Sequence, residues 1–152
     1  LSEKLVITDQ VNMLSLMEQN ISLNNLESKV TSLVLDWGAP LPDLVKANPP
    51  SHILAADCVY FEPAFPLLIQ TLEELFELNG DAVCWFVYKK RRKADIKFMK
   101  MARKSFDVEE TADEDRKVWE REGLFMYTFT KKRRGQPGRA KQASVEVEEV
   151  RI

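Results

Sequence analysis

"ILAADCVYFEPAFPLL", residues Ile53 to Leu68, decides how the rest of this chain is read. Ile53, Leu54, Ala55 and Ala56 make a short apolar run that reads as a buried strand. The run stops on Asp57, passes Cys58 and Val59, and reaches Tyr60 just before a proline-led helix. Pro63 suits a first helical turn, where its missing N–H costs nothing. Phe65, Leu68, Leu72 and Leu75 then mark a helix face that runs to a terminator at Asn79-Gly80. A core strand ending on a carboxylate and a phenol, with a helix directly behind it, is half of a βαβ unit.

The flanking sequence repeats that pattern. Leu5 to Thr8 is a short strand with Asp9 at its end, and Val11, Leu14, Met17 and Ile21 then recur at helical spacing until Asn24-Asn25. Lys29 to Leu35, "KVTSLVL", is rich in β-branched residues and reads as a strand. A proline-rich connection, "DWGAPLPDLVKANPP", follows with room for one helical turn. Ala82 to Tyr88 is apolar without alternation, as in a strand covered on both faces. A charged helix follows, with Ala94, Phe98, Met101 and Ser105 expected inside, then strands at Phe106–Glu110 and Leu124–Thr130. This order predicts an α/β, Rossmann-like sheet, mostly parallel with helices on both faces, closed by an antiparallel C-terminal edge. From Lys132 to Ile152 the sequence turns basic, then small and polar, then acidic, and is expected to be a disordered tail.

Composition narrows the function classes. The 152 residues suit one domain, and 45% hydrophobic content supports a packed core. A net charge of -2 does not suit a polyanion binder, so nucleic acid is not expected as a partner. The basic runs Lys89–Lys93 and Lys131–Arg134 read as a solvated helix start and a flexible tail, or else as charge clusters for nucleic acid or an acidic partner, with Lys89–Lys93 also readable as a rim where a substrate protein docks. No apolar run approaches the roughly 18 residues a membrane helix needs, and no secretory signal opens the chain. Two cysteines, Cys58 and Cys84, give neither a disulfide framework nor a zinc spacing. A cytoplasmic monomer without a metal is expected. The opening "LSEKLVITDQ" reads as a sequence entered partway through a domain.

In open α/β sheets, ligands collect beyond the carboxyl ends of the strands. Asp9, Asp36-Trp37 and the Asp57/Tyr60 corner all stand there. Asp9 suits the hydroxyls of a nucleoside ribose, or a helix N-cap. Trp37 offers an adenine a flat wall, or simply packs beneath the proline-rich loop. Asp57 could be a base, an anchor for an amine or a turn former, and Tyr60 could line a channel or fill space. Small residues at Ala55 and Ala56 permit close approach of a ligand. His52, the only histidine, leaves a histidine-based catalytic pair hard to build.

"VITDQ", "LDWG" and above all "AADCVYFEPAFPLLIQTLEEL" resemble the seven-β-strand S-adenosylmethionine-dependent methyltransferases that act on lysines of non-histone proteins. Their D-x-x-Y signature is matched by Asp57, Cys58, Val59 and Tyr60, and the chain looks most like the fungal branch acting on a translation elongation factor. The resemblance covers roughly Leu5 to Lys131. It implies that Asp9 holds the cofactor ribose, Trp37 lies beside the adenine, and the backbone at Ala56 approaches the cofactor. Asp57 and Tyr60 then border the passage where the target lysine meets the methyl donor. The family's first strand and Gly-rich turn have no counterpart, since no G-x-G occurs in the chain, so residues 1–131 read as a partial methyltransferase domain. Two rival readings remain: a small-amine (nicotinamide-type) N-methyltransferase, and a truncated non-catalytic binding module.

Overall fold

A computed structural model describes residues 4–91, 93–111 and 116–132 of the protein. The elements are β1 (Leu5–Asp9), α1 (Leu14–Leu23), β2 (Val30–Val34), α2 (Asp43–Ala47), β3 (His52–Ala56), α3 (Phe65–Leu78), β4 (Val83–Lys89), α4 (Lys93–Ser105), β5 (Phe106–Glu110), α5 (Arg116–Arg121) and β6 (Leu124–Lys131). Single 3-10 turns at Val11–Met13 and Glu62–Ala64 lead into α1 and α3. The architecture is α/β and Rossmann-like. β1 and β2 pair in parallel, with Asp9 opposite Val34. β3 and β4 also pair in parallel, from His52 opposite Val83 to Ala56 opposite Val87. β6 then inserts antiparallel between β4 and β5, giving the order β3-β4-β6-β5. Among the described residues, β1 and β3 each have a strand on one side only.

The C-terminal pair is antiparallel, as the short connection predicted, because no long helix is available for a parallel crossover. The edge of the sheet is β5, however, and the last strand lies inside it. The expected tail from Lys132 onward lies outside the described residues beyond that first position.

The core forms where α3 and α4 meet the sheet. Phe65, Leu68, Leu72 and Leu75 are all buried, as the spacing predicts. Each such side chain contributes about 1.5–3 kcal/mol by leaving water. Asn79 rather than Gly80 ends α3: its side chain donates to the Pro50 carbonyl and accepts from the Asp81 N–H. In β4, Cys84, Phe86 and Tyr88 are buried while Val83, Trp85 and Val87 are half-buried, so one face rather than both is fully covered. The inner face of α4 is Asp95, Phe98, Met99 and Ala102, offset from the expected set; Met101 and Ser105 are only half-buried, and Ala94's side chain lies outside the described residues. The offset admits a carboxylate to the interior, which hydrophobic periodicity does not anticipate.

Phe86 is the centre of this core, stacked on Phe98 at 5.1 Å and on Phe129 at 4.8 Å. Phe86→Ala should therefore destabilise the fold by about 3–5 kcal/mol. Urea denaturation checks this, and a loss below about 1 kcal/mol would contradict the packing described.

Candidate active site

The β3–α3 connection carries the most unusual backbone in the site. Asp57, the first residue after β3, has φ +54°, a left-handed conformation that aspartate tolerates better than most non-glycine residues. Its N–H donates to the Val87 carbonyl at 2.7 Å, which extends the β3–β4 ladder by one residue. The carboxylate then meets Arg91 as a two-pronged pair, Nη1 to Oδ1 at 2.6 Å and Nη2 to Oδ2 at 2.9 Å. Arg91 belongs to the basic run that reads as a solvated helix start, and the parallel pairing explains why it arrives here. Strands paired in parallel end at the same rim, so the residues after β4 stand beside those after β3.

Arg91 is itself held. Its backbone N–H donates to Asp95 Oδ2 at 2.7 Å, and Asp95 is only 2% exposed. The neighbouring Lys90 N–H donates to the Gly123 carbonyl at 2.7 Å. Arg92 and the side chain of Lys93, also in that run, lie outside the described residues. Sequence reasoning passed over Arg91 and Asp95. The only available signal was the helical register 95, 98, 99, 102, in which an aspartate takes an inner position.

The other candidate residues sit as follows. Tyr60 is 65% exposed and Phe61 beside it 56%, so the corner opens to solvent. Cys58 is half-buried with its thiol against the Ala56 carbonyl at 3.5 Å. Burial foremost, and the carboxylates of Asp57 and Asp9 after it, push this thiol up to about 11. Asp9, at the end of β1, is thus one of the charges that act on the thiol after β3. Asp9 is exposed, and its Oδ1 accepts from the adjacent Gln10 N–H at 2.7 Å. Gln10, without a side-chain bond, is the N-cap of the turn that follows, so Asp9 does not cap it. Trp37 is half-buried against the core. It is fixed by its neighbour: Gly38 (φ +82°) donates to Thr71 Oγ1 at 2.9 Å, and a Cβ there would come within 2.8 Å of Leu67. His52 is exposed and accepts from the Trp85 indole at 3.4 Å, a structural contact.

Two shallow hollows flank the site without including Asp9, Trp37 or Asp57. One, about 380 Å³, lies over Glu62, Phe65, Lys97 and Met101. The other, about 530 Å³, lies between Gly38–Leu41 and the acidic side of α3.

Comparison with known proteins decides the family. Residues 2–105 match the model of a family described as lysine methyltransferase. The chain belongs to that lysine methyltransferase family. It is 39% identical over 117 residues to the protein-lysine N-methyltransferase EFM6 of Saccharomyces cerevisiae, covering 72% of this chain and 48% of that protein. It is 34% identical over 113 residues to the protein N-lysine methyltransferase METTL21A of Danio rerio, covering 72% of this chain and 50% of that protein. The chain thus spans about half the length of these curated relatives. Among solved structures, the methyltransferase domain of METTL16 superposes with a TM-score of 0.52 at 11% identity, covering 84% of this chain and 61% of that one. At such identity the likeness concerns the fold. Asp57 and Tyr60, the D and Y of the D-x-x-Y pattern in the sequence, lie within the stretch matched by the family model.

The surroundings of Asp57 and Cys58 make two measurable differences. The Arg91 guanidinium, through its hydrogen bonds, holds Asp57 below the ordinary aspartate value of 3.8. With its folded-state value depressed, the stabilisation from Asp57 is complete above pH 3.8 and is lost as pH falls through the folded-state midpoint. A ¹³C titration should place the Asp57 midpoint below 3.8, and Arg91→Gln should move it upward. A value of about 11 leaves Cys58 roughly 100-fold poorer in thiolate at pH 8 than an ordinary cysteine. Iodoacetamide should accordingly label it about 100-fold more slowly in the native protein than in urea.

Proposed function

We propose that the complete protein is an S-adenosylmethionine-dependent protein-lysine N-methyltransferase acting on a translation elongation factor in the cytoplasm, as a monomer. The observation that carries this reading is the D-x-x-Y corner, Asp57 to Tyr60, standing open at the end of β3 in a chain of the lysine methyltransferase family. An open rim suits a lysine presented on a protein surface better than the enclosed pocket a small amine requires. Among the described residues no helix is long and apolar enough to cross a membrane.

The residues present fit the nucleoside half of the cofactor. Asp9 offers an exposed carboxylate for the ribose hydroxyls, Trp37 an indole face for the adenine, and Ala56 a small side chain where the cofactor nears the strand. No G-x-G turn for the other half occurs in the chain. We propose that in the whole protein a further strand and its glycine-rich turn lie between β1 and β3, each of which is a terminal strand of its sheet among the described residues. Residues 1–131 are then a partial catalytic domain.

When bound, S-adenosylmethionine supplies a methyl group activated by its sulfonium. The transfer would make an N–C bond from the lysine's lone pair at the expense of the donor's C–S bond, and Asp57 and Tyr60 would align the amine for it. Such a displacement depends on alignment and on a neutral amine more than on a strong base. Asp57 receives the amine by a hydrogen bond. Tyr60, at 65% exposure before a partner arrives, orients the side-chain stem and is covered by the incoming protein.

Elongation factors produced in bacteria, and so lacking these methyl groups, are the substrates to test with the complete protein. Asp57→Ala or Tyr60→Phe should lower turnover roughly 10- to 100-fold, while the dissociation constant for S-adenosylmethionine stays within about twofold. Unchanged turnover in both variants would remove the assignment.

A further inference from the structure

The signature corner is harnessed to a part of the chain that the signature does not include. Asp57 is fixed through its N–H to β4, and both its carboxylate oxygens are gripped by Arg91. Arg91 is fixed in turn by the buried Asp95 on α4, and the Lys90 backbone by the Gly123 turn ahead of β6. Both partners of the ion pair are about half exposed, with side chains 49% and 52% accessible. Ion pairs of that exposure add little to stability, and left-handed backbone at a non-glycine residue subtracts from it. Stability therefore does not account for so complete an arrangement.

The chemistry of amine methylation does. A lysine is protonated at neutral pH and has no lone pair to give until it loses a proton. A carboxylate acting alone works against that loss, because an opposite charge nearby favours the ammonium form. A guanidinium fork cancels the carboxylate's charge yet occupies only one lone-pair position on each oxygen, and a carboxylate has about four. Resting on the functional reading above, we propose that Arg91 is a positioning residue that presents Asp57 to the target amine as a charge-compensated hydrogen-bond acceptor. The ammonium gives one proton to solvent. The neutral amine keeps an N–H on Asp57 and turns its lone pair toward the methyl group.

Among the described residues, the charged surroundings of the pair are these. Asp57 faces Arg91 and Lys89 from the end of β4, and Arg91 faces Asp57 and Asp95. Cys58 faces Asp57 and, from β1, Asp9. Arg91 is the cation that grips both carboxylate oxygens, so its removal should change the amine's ionisation most.

The test is the pH profile of kcat/KM for the complete protein on an unmethylated elongation factor, from about pH 6 to about pH 9.5. Arg91→Gln should move the acid limb up by about one pH unit: roughly tenfold slower below the limb, near wild type above it. Arg91→Lys, which keeps the charge and loses the fork, should leave the limb close to its original position. S-Adenosylmethionine affinity within about twofold in both variants reports intact folding and cofactor binding. The ¹³C midpoint of Asp57 should rise in Arg91→Gln and stay low in Arg91→Lys, independently of turnover. A uniform rate loss at every pH with the limb unmoved would make Arg91 merely structural and overturn the proposal, as would Arg91→Lys behaving like Arg91→Gln. A wild type inactive on every factor would sink the functional reading and this proposal with it. An active, Asp57-dependent wild type with an unmoved limb in Arg91→Gln would sink this proposal alone.

Discussion

Phenylalanine rings in van der Waals contact run from α3 through the sheet and back to α3. Phe65 meets Phe98 of α4 at 5.3 Å, Phe98 meets Phe86 of β4 at 5.1 Å, and Phe86 meets Phe129 of β6 at 4.8 Å. Phe129 then meets Phe106 of β5 at 5.8 Å, and Phe106 meets Phe76, near the end of α3, at 5.3 Å. Aromatic pairs at these separations contribute beyond their area burial. Because this circuit begins and ends on α3, it ties three strands and two helices into one body. Neither helix can shift without opening a cavity beside several rings.

The site hangs from that body at two places. At one, β3 is paired to β4, and the extra bond from the Asp57 N–H to Val87 carries the order of the sheet one residue into the loop. At the other, Gly38 is seated on α3 through Thr71, which draws the end of β2 and its tryptophan against the same core. By contrast β1 and α1 are lightly held. Val11 and Leu23 of that region are exposed, and Ile21 is the one buried residue of α1. The end of β1, with Asp9, is thus the least buttressed part of the candidate site, and the Asp57 corner the most.

Under the proposed function, this asymmetry divides the labour between the protein and its substrate. Asp57 and Arg91 are held by short, directional bonds to rigid elements, so under the proposed function little reorganisation would be left for the moment of reaction. Tyr60 and Phe61 are exposed, which would leave an incoming protein to supply the desolvation that raises the value of those bonds. A protein substrate would thereby complete the site it enters.

Period and punctuation in the sequence were enough to find every strand, α3 with its buried face, and the antiparallel ending, because those depend on local propensity and on which residues avoid water. Asp57 and Tyr60 drew notice for a similar reason, as polar residues at the end of an apolar run, while their reading as a D-x-x-Y signature came from the family resemblance. Arg91 and Asp95 were not legible. A charge run carries no mark of which member will fold back, and a single aspartate in a charged helix differs from its neighbours only in its register. Their roles arise because two parallel strands end at one rim and α4 turns one carboxylate inward. Such meetings join residues 34 positions apart, as Arg91 and Asp57 are, and only the folded chain brings them within bonding distance.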